Sequence, residues 1–335
     1  MTAQRPRKSH FLPKFYLAGF TENGEAEGEL FVFDQTLSRG WPSSPNKAAT
    51  ERDFYVVDLG PTEDPDVMER VFSRLEGDFS RVVRDIIARR QLPTDNVDFN
   101  WFLNFVASMV ARTPRTRNVA AGAIDKATKA ELRKALATPE GWARFRKVCV
   151  EAGNQVGEQE YEEYKRIADS EDYTANFDQT SHVKMMATHM IDALLPALAQ
   201  RHWSLGIATD DAPSFVSSDM PVGVFPARGA DIGKPMTLLT PATVLSFPIN
   251  RRLVALARYE RRGNVQEVTA PGVRLINYWT IAGARQVFSS TSDFSFMTPD
   301  RAICGKGELV ALLKRNRGKR KRGHPDETPN PHKAF

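Results

Sequence analysis

The sequence predicts an α+β fold in which an antiparallel sheet, built from N- and C-terminal strands, accompanies a large inserted helical layer. Apolar residues alternate with a period of two near both ends of the chain, and they recur with a period near 3.6 in its middle. The roughly 60 residues of N-terminal β material would make a small core by themselves. We therefore expect the opening strands to pair with the closing ones.

The composition is that of a globular protein. The chain has 335 residues, of which 41% are hydrophobic and 26% are charged. Cys149 and Cys304 are far apart and lack metal-ligand spacing, which argues against a disulfide framework and a zinc site and fits a reducing cytoplasm. The sequence shows neither an apolar run of about 18 residues nor an apolar signal core. We therefore predict a cytoplasmic protein with no membrane partner.

The positive charge is concentrated in one segment. The formal net charge is +5, but the stretch from Lys314 to Arg322 holds seven basic residues and no acid, which leaves −2 for the rest of the chain. Nucleic acid is a candidate partner of this stretch, because lysine and arginine bind phosphates without sequence preference. A plain solubilising tail is the alternative.

The changes in hydrophobic period predict the domain organisation. We expect a single α+β domain between a flexible N-terminus and a disordered basic tail. The predicted boundaries are 1–8 for the N-terminus, 9–313 for the domain and 314–335 for the tail. Within the domain we expect residues 9–60 to be β-rich, 61–201 to be helical, and 202–300 to be β-rich with a late helix.

The elements follow in order. The run from Leu30 to Asp34 predicts a strand hairpinned back on the segment before it, followed by a loop at 38–46. Period 3.6 predicts a long amphipathic helix over 66–90, a buried helix over 99–111 that Thr113-Pro114 ends, and another helix over 181–201. Further strands are predicted at 203–208, 214–218, 222–225, 244–249 and 253–258, and a last helix from Pro271 to Phe288.

His10 is the first candidate site residue. It stands in an aromatic segment that runs from Ser9 to Phe20. An imidazole in such a setting can act as a general base or as a ligand. The alternative is a half-buried histidine that hydrogen bonds to the backbone.

Two carboxylates and an arginine are further candidates. Glu51 precedes an apolar strand and could hold a metal or orient His10, or it could simply be solvated. Arg112 leaves the most hydrophobic helix and could bind a carboxylate or a phosphate. It could equally provide favourable charge at a helix C-terminus. Glu76 lies on the flank of the long helix, where it is either a buried carboxylate or an exposed one.

Asp219 and Asn277 complete the set. Asp219 stands in a Ser-Ser-Asp-Met-Pro turn, where it could bind a metal, anchor Arg112 or satisfy its own turn. The turn lacks a Gly-x-Ser-x-Gly pattern, which argues against a serine hydrolase. Asn277 lies on the late helix and projects either into the same cleft or onto the surface.

Taken together, these residues resemble a widespread bacterial family of uncharacterised proteins, a domain of unknown function. Members open with His-aromatic-x-Pro-x-(Phe/Tyr)-Tyr-Leu-x-x-Phe, which here runs from His10 to Phe20. The other matching stretches are Leu30 to Asp34, Glu51 to Tyr55, Arg112 to Pro114, Ser218 to Val222, and Asn277. Met220 stands where many members carry asparagine. The resemblance covers about His10 to Ser290 and implies a shared fold and a shared polar cleft.

Two hypotheses for the function follow. In the first, His10, Glu51, Arg112 and Asp219 converge in a nuclease-like hydrolase of nucleic-acid phosphodiesters, where Arg112 stabilises developing negative charge. Mg²⁺ or Mn²⁺ at Glu51 and Asp219 is the candidate cofactor, although their spacing does not support it. In the second, the chain is a non-catalytic binding module, and the same polar residues form a network that attaches the N-terminal segment to the core.

Overall fold

The computed structural model describes residues 8–57, 64, 66–170, 172–175, 178–186, 191–227, 236–261 and 263–311. The chain folds into two compact units. The first comprises Met1–Pro114 and Val183–Phe335, and the second comprises Arg115–His182. The predicted basic tail and all but Lys8 of the predicted flexible N-terminus lie outside the described residues.

The chain opens with short elements that pack tightly. They are β1 (Lys8–His10), α1 (Lys14–Ala18), β2 (Leu30–Asp34), β3 (Arg39–Ser43) and β4 (Thr50–Arg52). Pro13 suits the start of α1 because its fixed φ of −60° fits the entry to a helix, and its carbonyl accepts from the amides of Tyr16 and Leu17. The predicted hairpin of β2 with the preceding segment was wrong. β2 pairs instead with β3, inside the region predicted as a loop, and with β11 (Gln286–Ser289).

The helices of the first unit confirm the period-3.6 predictions. The long amphipathic helix is α2 (Val67–Arg89), and the buried one is α3 (Asn96–Ala111). Asp95 caps α3, since its side chain accepts from the amide of Asp98 at 2.8 Å. The predicted helix over 181–201 corresponds to α7 (Gln179–Met185), which lies in the second unit as far as His182, and to α8 (Ile191–Ala199). Residues 187–190 lie outside the described part.

The second unit is helical. Its elements are α4 (Pro114–Leu136), whose first residue still belongs to the first unit, α5 (Pro139–Glu151) and α6 (Tyr161–Ser170). A small apolar core holds them together. That core consists of Leu136, Trp142, Val156 and Ala168.

The larger sheet is formed by five C-terminal strands. They are β5 (His202–Ala208), β7 (Gly223–Pro226), β8 (Thr243–Pro248), β9 (Leu253–Arg258) and β10 (Val265–Val268). Their order is β10-β5-β9-β8-β7, and the pairs are antiparallel except for β10 with β5. The parallel pairing of β10 with β5 is therefore the one exception, in this sheet, to the predicted antiparallel arrangement.

A second sheet combines strands from the N-terminal and the C-terminal parts of the chain. Its order is β3-β2-β11-β6, where β6 is Ser217–Ser218, and Val287 of β11 lies opposite Phe33 of β2. This pairing confirms the α+β prediction of N- and C-terminal strands in one sheet. The predicted late helix ends early, because α9 (Ala270–Ala282) stops at Gly283 before β11 begins. A β-hairpin of β12 (Ser295–Met297) and β13 (Ile303–Gly305) follows.

The opening aromatic segment lies in the main core. Tyr16 is fully buried, and its ring stacks on Phe247 at 5.4 Å between centroids. The Tyr16 hydroxyl donates to the Pro248 carbonyl at 2.9 Å, so the Ser217 hydroxyl, 2.8 Å away, is the donor to Tyr16. None of the described helices combines the length and the apolar character needed to cross a membrane.

Candidate functional site

A buried guanidinium lies at the centre of the polar network. Arg112 directly follows α3 and is 1% exposed. Its Nε donates to the Tyr55 hydroxyl at 2.6 Å, and its Nη2 donates to the Glu76 carboxylate at 2.8 Å and to the His10 carbonyl at 3.2 Å. Burial lowers the pKa of Arg112, but Tyr55 and Glu76 outweigh that effect and raise it above its ordinary value. The cation is therefore permanently charged.

Tyr55 links this cation to the N-terminal segment. Its hydroxyl accepts from Arg112 and donates to the His10 carbonyl at 3.2 Å. Burial raises the Tyr55 pKa to about 12, against the opposing effect of Arg112. The phenol therefore stays protonated and keeps its donor. Arg112 and Tyr55 together fix the backbone of His10 from α3 and from the segment after β4.

The hydrogen bond of the His10 imidazole shows which of its two ring nitrogens carries the proton. Its Nε2 lies 3.1 Å from the Pro45 carbonyl, and since a carbonyl only accepts, Nε2 carries the hydrogen. Nδ1 of the neutral ring then holds a lone pair. Burial, followed by the charge of Lys14, lowers the His10 pKa, while the Pro45 carbonyl and Glu76 oppose the shift. His10 is therefore a neutral base at physiological pH.

These residues line one groove of about 570 Å³ in the first unit. One wall comes from β1 and α1, and another is a face of α2. The first wall carries Lys8, His10, Lys14 and Phe15, and the α2 wall carries Glu69, Phe72, Ser73, Glu76, Gly77 and Ser80. Spacings of three and four residues place this second set on one side of the helix. Such a volume suits a small ligand.

The structure brings two of the five predicted site residues together. His10 and Arg112 both line the groove. Glu51 lies in β4 opposite Ser9, next to Thr50, which is the strand partner of His10. The carboxylate that pairs with Arg112 is Glu76.

The other two predicted residues, Asp219 and Asn277, are absent from the lining of the groove and form two separate sets of hydrogen bonds. The Asp219 carboxylate accepts from the backbone amides of Arg285 at 2.9 Å and Gln286 at 3.1 Å, which joins the end of β6 to β11. Asn277 is fully buried in α9. Its amide accepts from Val216 and donates to the carbonyls of Ser214 and Ser295, each at 3.0 Å.

Several groove residues, among them Tyr55, Gly77 and Lys14, were not among the predicted site residues. Tyr55 entered the sequence analysis only as the end of the family-like stretch from Glu51 to Tyr55. Gly77 and Lys14 stand out only because the structure places both of them in the lining of one groove. Glu76 carried a readable signal, because it is four residues after Phe72 and three before Phe79, both of which are buried.

The carboxylates do not fit the divalent cation considered from the sequence. Glu51 belongs to the β1–β4 sheet, whereas Asp219 follows β6 in the four-stranded sheet. Among the described residues, no group of three or more His, Cys, Asp or Glu side chains is placed to hold a metal ion. We therefore derive no step that uses a metal ion.

Lys14 and Glu76 shift the pKa of His10 in opposite directions, and both shifts can be measured. In the Lys14→Met variant the His10 pKa should rise, because the lysine charge disfavours the imidazolium. In Glu76→Gln it should fall, because the carboxylate favours the imidazolium. Titration of the His10 ring by NMR measures both shifts. Equal or same-sign shifts would contradict the described environment.

The geometry defines the class of protein as an α+β protein with a charged groove that is lined by its N-terminal segment and by α2. The chain belongs to the family described as "Protein of unknown function (DUF4238)", whose profile matches residues 8–293. No curated protein matches the chain. No solved structure matches it either.

Proposed function

We propose that the groove binds a phosphate-bearing ligand and hydrolyses phosphodiesters in nucleic acid. One observation carries this proposal. The neutral imidazole of His10, with its proton held on Nε2 by a carbonyl, shares the groove with two lysines, Lys8 and Lys14. A base and paired cations are what metal-free attack of water on a phosphodiester needs.

Each residue has a separate role. His10 takes a proton from water through Nδ1 as the water oxygen bonds to phosphorus. The ammonium groups of Lys8 and Lys14 neutralise the phosphoryl oxygens, and the departing oxygen takes its proton from solvent at the groove mouth. These steps move one proton to the base and break one P–O bond.

Arg112 is a positioning residue in this proposal. Its guanidinium is 1% exposed and already bonded to Tyr55, Glu76 and the backbone of His10. It therefore acts by fixing His10 and by its charge at the groove floor, rather than by touching phosphate. The basic segment from Lys314 to Arg322, outside the described residues, would add phosphate affinity.

A second candidate function is a non-catalytic binding module. The observation that favours it is that the Nε and Nη2 bonds of Arg112 all go to protein groups, which is the pattern of a network that attaches the N-terminal segment to the core. In that case the groove binds its ligand without turnover.

One experiment separates the two functions. The purified protein is incubated with single- and double-stranded DNA and RNA, with Mg²⁺, with Mn²⁺ and with EDTA. His10→Ala should slow cleavage about 10²- to 10⁴-fold at an unchanged melting temperature, because it removes the general base. His202→Ala, at an exposed position of β5, is the matched control and should cleave normally.

Three outcomes would count against the hydrolase. Cleavage that survives His10→Ala would place the chemistry elsewhere. Absence of cleavage on every substrate would leave the binding module. A large fall in melting temperature in His10→Ala, with no activity to lose, would make His10 a structural residue.

A further inference from the structure

The two walls of the groove carry opposite charges. Lys8 and Lys14 stand with His10 on the β1–α1 wall, whereas Glu69 and Glu76 stand on the α2 wall. A phosphate is attracted to the first wall and repelled by Glu69 on the second wall, where the charge of Glu76 is already paired with Arg112. Carboxylates instead accept hydrogen bonds from hydroxyl and amino groups. A ligand that satisfies both walls therefore has an anionic end and an end rich in donors.

The α2 wall also leaves room beside its carboxylates. Gly77 lies in the middle of this 23-residue helix, and a Cβ built on it would meet no atom within 4 Å. Ser73 and Ser80 lie one turn away on either side and are small. A glycine inside a helix weakens it relative to alanine, and no packing contact requires one here. We take the space that Gly77 leaves for a ligand as the reason why a glycine stands at this position of α2.

The buried cation of Arg112 adds positive charge beside the groove. Nη1 of Arg112 is buried and has no hydrogen-bond partner among the residues that the structure describes, whereas Nε and Nη2 are fully engaged. Because Nη1 is buried, Arg112 attracts an anionic ligand through its charge and not through a direct hydrogen bond. This observation is independent of the lysines and of the glycine.

We infer that the groove holds one nucleotide unit, with its phosphate against Lys8, His10 and Lys14 and its sugar and base along the α2 wall. The volume of about 570 Å³ accommodates a single nucleotide. This inference rests on the proposed phosphate-binding function and adds an orientation to it.

The test is a binding comparison on the full chain by calorimetry. The probes are adenosine 5′-monophosphate, ribose 5-phosphate, adenosine and inorganic phosphate. We expect the nucleotide to bind at least about tenfold more tightly than inorganic phosphate, since only the nucleotide reaches both walls. Glu69→Gln should weaken nucleotide binding several-fold and leave phosphate binding unchanged or stronger.

A matched pair of glycine variants tests the place of binding. Gly77→Leu should abolish nucleotide binding without lowering the melting temperature, because the new side chain fills open groove space. Gly122→Leu is the control: this glycine is also exposed within a helix, α4, with no atom within 4 Å of a built Cβ, and it lies in the second unit. It should bind like the wild type.

The outcomes distinguish failure of the nucleotide inference from failure of the proposed phosphate-binding function. If inorganic phosphate, ribose 5-phosphate and the nucleotide bind equally and Glu69→Gln has no effect, the nucleotide inference fails while the phosphate-binding function stands. If no phosphate-bearing probe binds, both fail. If Gly77→Leu binds like Gly122→Leu, binding lies outside the groove and the inference is overturned.

Discussion

The Arg112→Met variant should lose about 3–5 kcal/mol of unfolding free energy, the cost typical of removing one partner from a buried ion pair. Arg112 supplies the charge for three hydrogen bonds, and methionine fills the volume without replacing any of them. Glu76 is 27% exposed and regains some hydration, which places the loss toward the lower end of the range. Urea denaturation measures it.

The coupling to Glu76 makes this prediction specific. The double variant with Glu76→Gln should lose less than the sum of the two single variants, by about 1 kcal/mol or more, because the ion pair is counted once. Arg74→Met, at an exposed position of α2, should stay within about 0.5 kcal/mol of the wild type. Additive losses, or a loss at Arg112 no larger than at Arg74, would contradict the described network.

The Asn277→Asp variant should also lose about 3–5 kcal/mol at pH 7 although it is nearly isosteric, because uncompensated burial of charge is among the costliest changes. The wild-type amide donates to the carbonyls of Ser214 and Ser295, each at 3.0 Å. An ionised carboxyl would face both carbonyls with an acceptor. Asn277→Ala removes the bonds without adding charge, so we expect it to be the less damaging substitution.

The pH dependence gives this prediction a second measurement. Burial against two carbonyls raises the folded-state pKa of the introduced carboxyl above its unfolded value of about 3.9. The folded state then binds more protons than the unfolded state between these values, so the deficit should shrink as the pH falls from 7 toward 4. A deficit that is constant with pH would show that lost packing, rather than charge, causes it.

The fold was predictable for those elements whose local sequence pattern alone indicates their type and their ends. The apolar period of α2 and α3 and the Thr113-Pro114 boundary gave both helices to within a few residues. β11 was misread as the end of a helix because strand pairing depends on a distant partner, β2, which a local period does not reveal. The same applies to the β2 hairpin and to the parallel pairing of β10.

The candidate site was predictable only in part, for a related reason. His10 and Arg112 stood out as polar residues in apolar surroundings, and they do meet. Asp219 and Asn277 stood out for the same reason, yet they bond to backbone groups of other segments. Burial of a polar group signals that it has partners, and sequence alone does not say which ones.

The pairing of β2 with β11 has a consequence for how the chain is made. Phe33 and Val287 are neighbours in the sheet, but about 250 residues separate them. At about 5–20 residues per second, the ribosome needs on the order of 10–50 s to synthesise that interval. During this time β2 lacks one of its two strand partners, so we expect the protection of its apolar residues from aggregation in the cell to depend on chaperones until β11 emerges.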